Sequence, residues 1–172
     1  SIIGYAFARF DFPFKKLAFT LVLLTIVVPP ATLAFPQFLY FRQLGLLGNP
    51  NAIFLMSVLG MGIKSGIFIF LFRQFFLGIP KELEEATLID GGSRLSIYFR
   101  IILPLSKPVF ATVSIFAFIA AWNDFLWPIL VLGGNDTMPL QVYLTEMINT
   151  EPVLMNQVLA ALTLSTIPLL FI

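Results

Sequence analysis

The sequence contains neither cysteine nor histidine. That excludes disulfides, thiol and imidazole catalysis and the usual zinc and haem ligands, so no metal and no cofactor is expected. Charge is scarce as well: 11% of residues are charged against 59% hydrophobic, and 10 basic residues nearly balance 9 acidic ones. A net charge this close to zero gives no reason to expect a nucleic acid partner. A nucleotide-binding phosphate loop is missing too. The nearest approach, GMGIKSG at 60–66, lacks the Gly-Lys-Ser/Thr core. The chain is therefore not expected to be an ATPase or another enzyme.

What is abundant is apolar side chain, and it is not scattered. It falls into four long blocks, at about 17–41, 52–77, 109–132 and from 158 onward, each near the length that crosses a hydrocarbon core of roughly 30 Å as a helix. A soluble domain of this size has too little interior for so much apolar surface. The expectation is an all-α, polytopic transmembrane helix bundle with at least four spans, forming a single domain over 1–172. Ser1 lies inside an apolar stretch (SIIGYAFARF) and Ile172 in another (LTLSTIPLLFI), so an internal fragment is expected. Pro29, Pro30 and Pro36 predict a kink in the first complete span. Basic residues favour the cytoplasmic side of a membrane. Arg9, Lys15 and Lys16 mark one turn, and Lys81, Arg94, Arg100 and Lys107 mark the polar segment 78–107. Both are expected to be cytoplasmic, and the loop 133–155, with Asp136, Glu146 and Glu151, extracytoplasmic.

The segment 78–107 is the one extended polar stretch, and its residues predict two short helices around a glycine hinge. Pro80 suits a first turn, and Glu82, Glu84 and Glu85 sit where a helix dipole favours negative charge. Gly91-Gly92 end that helix. Ser93 caps a second one, in which Leu95, Tyr98, Phe99 and Ile102 recur at helical spacing,. Pro104 and Pro108 close the unit. Physically, such an element either meets a soluble partner or lies on the bilayer surface.

The stretch EATLIDGGSRLSIYFRIILP at 85–104 resembles the EAA loop of permease subunits in binding-protein-dependent ABC importers. Glu85, Ala86, Asp90, Gly91, Ile101, Leu103 and Pro104 match that signature in register, while Thr87, Gly92 and Tyr98 depart from it. RQFFLGIPKELEEA at 73–86, LPLSKP at 103–108, AWNDFLWPI at 121–129 and the ARFDFP turn at 8–13 are similar to the carbohydrate-importing branch that includes maltose and glycerol-3-phosphate permeases. The resemblance implies a type I permease subunit in a bacterial or archaeal cytoplasmic membrane, importing a sugar or sugar-like solute. It implies cytoplasmic ABC ATPase subunits, a second and different permease subunit, and an extracytoplasmic solute-binding protein as partners. Glu85 and Asp90 would offer carboxylates to the ATPase subunit, Ala86 would allow close packing, Gly91-Gly92 would set the interhelix angle, and Tyr98 and Phe99 would add apolar contact.

Four residues within spans invite a role in the translocation pathway. Lys64 and Asp124 are charges at membrane depth, able to pair, to line the pathway, to snorkel or to contact another subunit. Trp122 and Asn123, with Trp127, can meet a sugar by stacking and hydrogen bonding, or anchor the helix at the interface. Two other functional classes stay open on sequence: an ion-coupled secondary carrier, although no inverted repeat is visible, and a non-transporting membrane scaffold.

Overall fold

The computed structural model describes residues 1–58, 62, 64–132 and 139–171. Among these residues the regular structure is helical. The helices are α1 (Ile2–Arg9), α2 (Lys15–Val27), α3 (Pro30–Gln43), α4 (Asn51–Val58), α5 (Ser65–Leu77), α6 (Glu82–Ile89), α7 (Arg94–Leu105), α8 (Lys107–Trp122), α9 (Leu126–Leu132), α10 (Leu140–Asn149) and α11 (Met155–Thr166). A 3₁₀ turn, Ile167–Phe171, follows α11.

The spans expected from hydropathy are broken rather than continuous. No single helix among the described residues is long and apolar enough to cross a membrane; by length and composition two broken pairs are, α2 with α3 and α7 with α8. The first break falls where the prolines predict it. Val28 and Pro29 are both extended, because each precedes a proline whose ring disfavours helical geometry in the residue before it. Pro30 then opens α3, where a missing N–H costs nothing,. The second pair bends by 71° at Ser106, which is fully buried and turns its hydroxyl back onto the Ile102 carbonyl. The expected third span, 109–132, also divides, into α8 and α9. Asn123 and Asp124 interrupt it: the Asn123 amide donates to the Ile119 carbonyl at 2.8 Å, a local bond that competes with continued helix. Within the loop expected at 133–155, residues 133–138 lie outside the described residues, and 140–149 form α10, in which Val142 and Leu144 are buried.

The chain forms two compact units. The first comprises Ser1–Val28 and Lys64–Phe116. Its core joins Tyr5 and Ala8 of α1, Phe72 and Phe76 of α5, and Ile97, Tyr98 and Ile102 of α7, with Ile79 and Val109. Glycines set the helix spacing. A Cβ on Gly4 would stand 2.6 Å from Cβ of Phe72, and one on Gly66 would collide with Thr25 and lie 3.0 Å from the Val22 carbonyl of α2. Close backbone approach through small residues is how helices associate where no water drives them together. The second unit comprises Pro29–Ile63 and Ala117–Ile172. It is centred on Phe41, Ala52 and Val131, with Leu46, Leu47, Ile53 and Trp127 packed around them.

Candidate functional site

The polar segment folds in the first unit as the two-helix element its residues predict. In α6 the acidic first turn is in place, with Glu82, Glu84 and Glu85. The helix ends in a Schellman motif: the Gly92 N–H donates to the Thr87 carbonyl at 2.9 Å and the Gly91 N–H to that of Leu88 at 3.1 Å,. Gly91 has φ +81°, a region that an L side chain enters at a cost of about 1–2 kcal/mol. Ser93 accepts the Ser96 N–H at 3.2 Å and caps α7,. Pro104 comes one turn before the end of the segment and has no N–H to continue the ladder. Just upstream, Tyr98–Ile102 widens into a π turn in which the Leu103 N–H reaches back to the Tyr98 carbonyl,.

The two departures from the EAA signature that flank the hinge touch each other. A Cβ at Gly92, where the signature has alanine, would lie 2.6 Å from Cγ2 of Thr87 and 2.8 Å from its carbonyl oxygen. The larger residue at 87 is thus accommodated by the smaller one at 92.

The element has an outer and an inner side. Glu85, Ala86, Asp90, Gly91 and Pro104 are exposed, and so are the apolar Ile89 (86%), Leu95 (71%) and Phe99 (56%). Tyr98 points the other way. It is 6% exposed, its ring lies 5.2 Å from that of Tyr5, and its hydroxyl is 2.7 Å from Oγ of Ser1. Leu103 packs against the same core. Of the residues named from the sequence for partner contact, then, Tyr98 and Leu103 face inward and hold α7 to the unit.

Sequence reasoning missed the anchor on the inner side of α6. Glu84 accepts a hydrogen bond from the Tyr5 hydroxyl at 2.9 Å, and its other oxygen lies 2.6 Å from Nε of Arg9, with the two charged side chains 13% and 4% exposed. The Arg9–Glu84 contact is an ion pair whose N–H is not aimed at the oxygen; Nη2 of Arg9 donates instead to the Ile79 carbonyl. Tyr5 stands edge-on to Phe10 and Phe76. One legible signal existed, since Tyr5 and Arg9 are four residues apart and share a face of α1.

The four span residues fall in different surroundings. Lys64 is exposed at the head of α5, with left-handed backbone, φ 57°. In the second unit, Trp122 donates its indole N–H to the Ser165 carbonyl at 3.2 Å and stacks on Phe118 at 5.4 Å. Asp124 is half-buried at the break before α9, with the backbone N–H groups of Leu126 and Trp127 close to its carboxylate. Trp122 and Asn123 thus each have a local bonding role where the two helices meet.

Comparison with known proteins places this architecture. The whole chain, residues 1–172, matches the family described as binding-protein-dependent transport system inner membrane component. The arabinooligosaccharides transport system permease protein of Halalkalibacterium halodurans is 34% identical over 172 residues, covering 100% of this chain and 60% of the relative. The lactose transport system permease protein of Rhizobium radiobacter is 33% identical over 172 residues, 100% of this chain and 61% of its own. The sn-glycerol-3-phosphate transport system permease protein of Yersinia pestis is 37% identical over 167 residues, 96% of this chain and 58% of its own. The chain thus spans about 60% of the length of the curated relatives it matches. A chain from the crystal structure of a bacterial ABC transporter involved in the import of the acidic polysaccharide alginate superposes with a TM-score of 0.79 at 27% identity, covering 98% of this chain and 62% of that one.

Proposed function

The chain belongs to the family of binding-protein-dependent transport system inner membrane components, and from that premise we propose that it is part of a permease subunit of an ATP-driven importer for a sugar or sugar-like solute. It sits as a multi-pass component of a bacterial or archaeal cytoplasmic membrane. The relatives named for arabinooligosaccharides, lactose and glycerol-3-phosphate transport support the solute class. The surface of α2 supports the bilayer: this apolar helix has no buried residue, and Leu17, Leu21, Leu24 and Val27 are all exposed. A helix apolar all round belongs in lipid or against other membrane helices.

The observation that carries the mechanism is the two-sided α6–α7 element. On its outer side, Glu85 and Asp90 flank exposed Ala86 and Ile89, with Leu95 and Phe99 nearby. That is a surface on which a cytoplasmic ATPase subunit would bury apolar area and pair its own cations with the carboxylates. On the inner side, Glu84, Tyr98 and Ile102 tie the same element to α1 and the core. A push delivered from outside is thereby passed to the helices as a rigid-body displacement, the kind of coupling that switches a bistable bundle between outward-open and inward-open states. ATP hydrolysis is supplied by the partner. A second permease subunit completes the pathway, and the 133–155 segment faces a solute-binding protein.

Single cysteines at Ala86 and Ile89, in a background made otherwise free of cysteine, test this reading. In the full-length protein within its complex, both should crosslink to the ATPase subunit with a yield that ATP changes. Absence of crosslinks in an intact complex, together with uptake driven by an ion gradient, would replace this reading with that of a secondary carrier.

A further inference from the structure

A cavity of about 530 Å³ opens in the first unit between the end of α1, the first turns of α2 and the last turns of α5, lined by Phe7, Asp11, Lys15, Lys16, Phe19 and Arg73. Three cations and one carboxylate leave its lining with two surplus positive charges. Asp11 is already taken by Lys15, at 3.1 Å. Among the described residues neither Lys16 nor Arg73 has an acidic partner.

Arg73 is held in place from two sides. Its guanidinium lies over the Phe19 ring, 4.2 Å from the centroid, and its Nε donates to the Phe7 carbonyl at 3.4 Å. The fork's plane is therefore set, while its terminal nitrogens have no acceptor among the described residues. A planar fork of this kind is matched by the oxygens of a phosphate, which accept two parallel N–H bonds.

Depth and wall chemistry narrow the source of the phosphate. Arg73 is one turn from the end of α5 at Leu77, and Lys15 and Lys16 open α2, so the cavity lies at the membrane boundary on the basic, cytoplasmic side. Its walls also include the apolar faces of Phe7 and Phe19. A free anion has no use for apolar walls, whereas the junction of headgroup and acyl chain does.

We propose that this cavity binds the phosphate headgroup of an anionic phospholipid of the cytoplasmic leaflet. Arg73 engages the phosphate as a fork, Lys16 adds the second charge, and Phe7 and Phe19 flank the glycerol region. The inference rests on the membrane reading above but not on the docking of an ATPase.

The test is native mass spectrometry of the full-length protein in its complex, exchanged into phosphatidylglycerol or phosphatidylcholine, with loop crosslinking measured on the same preparation. Wild type should retain phosphatidylglycerol preferentially. Lys16→Gln, an exposed position where folding is not at stake, should lower retention roughly fivefold, the effect of one charge near an anionic surface. Arg73→Gln should lower it at least as much, and Arg73→Lys should fall between, keeping charge but losing the fork. Equal retention by wild type and Lys16→Gln, with crosslinking intact, would overturn the proposal. Displacement of the lipid by millimolar inorganic phosphate would overturn the lipid assignment in favour of a free-anion site. Loss of crosslinking with lipid retention unchanged would count against the importer reading and leave this site standing.

Discussion

Removing the Glu84 carboxylate should loosen the α6–α7 element far more than removing its neighbour Glu85. The Arg9 and Glu84 side chains are 4% and 13% exposed and 2.6 Å apart, so water screens them little. Truncating one member of such a pair strands the other as a buried charge, which costs about 3–5 kcal/mol. Glu84→Ala also removes the acceptor of the Tyr5 hydroxyl, adding about 1 kcal/mol or more. Intermediate variants separate the contributions. Glu84→Gln keeps a carbonyl for Tyr5 but leaves Arg9 unneutralised, and should cost about 3–5 kcal/mol, the range for stranding one charge of a buried pair. Tyr5→Phe should cost about 1 kcal/mol. The double change Arg9→Met with Glu84→Met removes both charges and should be milder than either single change, because apolar replacements of a buried pair are often near neutral. Glu85→Ala, at an exposed position, should stay within about 0.5 kcal/mol of wild type. The assay is thermal unfolding of the purified full-length protein, with a drop of at least about 6 °C expected for Glu84→Ala. If Glu84→Ala unfolds together with Glu85→Ala, or if the double variant is worse than both singles, the anchor does not exist as described. Transport should follow stability here: a loosened element should let ATP be hydrolysed with less solute moved per turnover.

Two further perturbations probe the hinge and the helix contact. Gly92→Ala should destabilise by about 1–3 kcal/mol through overpacking against Thr87,, and adding Thr87→Ala should restore part of the loss, since only the contact with the carbonyl oxygen then remains; a double-mutant cycle with no coupling would show that the two positions do not compensate each other. Gly66→Ala should separate α5 from α2, because its Cβ collides with Thr25 and meets the Val22 carbonyl. A cysteine pair bridging Val22 and Gly66 neighbours should then crosslink less efficiently than in wild type, and unchanged efficiency would mean that the contact yields without cost.

Adjacent glutamates show where sequence reading stops. Glu84 and Glu85 look alike in the chain: both lie in the first turn of α6, both favour the helix dipole, and only Glu85 falls within the signature. Successive helical residues point about 100° apart, and here that rotation sends one carboxylate into a buried pair with Arg9 and leaves the other exposed. Which is which depends on where α1 lies, and α1 is separated from α6 by more than seventy residues. Tyr98 illustrates the same point. Its helical spacing with Leu95 and Ile102 marked an apolar stripe, but the packing of Tyr5 decides that Tyr98 belongs to the core while Phe99 remains outside.

What the sequence determined by itself is what local chemistry and composition dictate. Apolar abundance specified a helical membrane chain, the consecutive prolines specified the break after α2, and Gly91, Gly92 and Ser93 specified the hinge and its caps, because a missing N–H, a positive φ or a side-chain acceptor acts within a few residues. The tertiary structure alone decided the assignments that depend on contact between distant segments. It placed Tyr5 and Arg9 on Glu84, put Thr87 against Gly92 across the turn, gave Trp122 to the Ser165 carbonyl, and gathered Lys15, Lys16 and Arg73 around one cavity. Burial and charge pairing are properties of the assembled surfaces, and no segment carries them before its neighbours arrive.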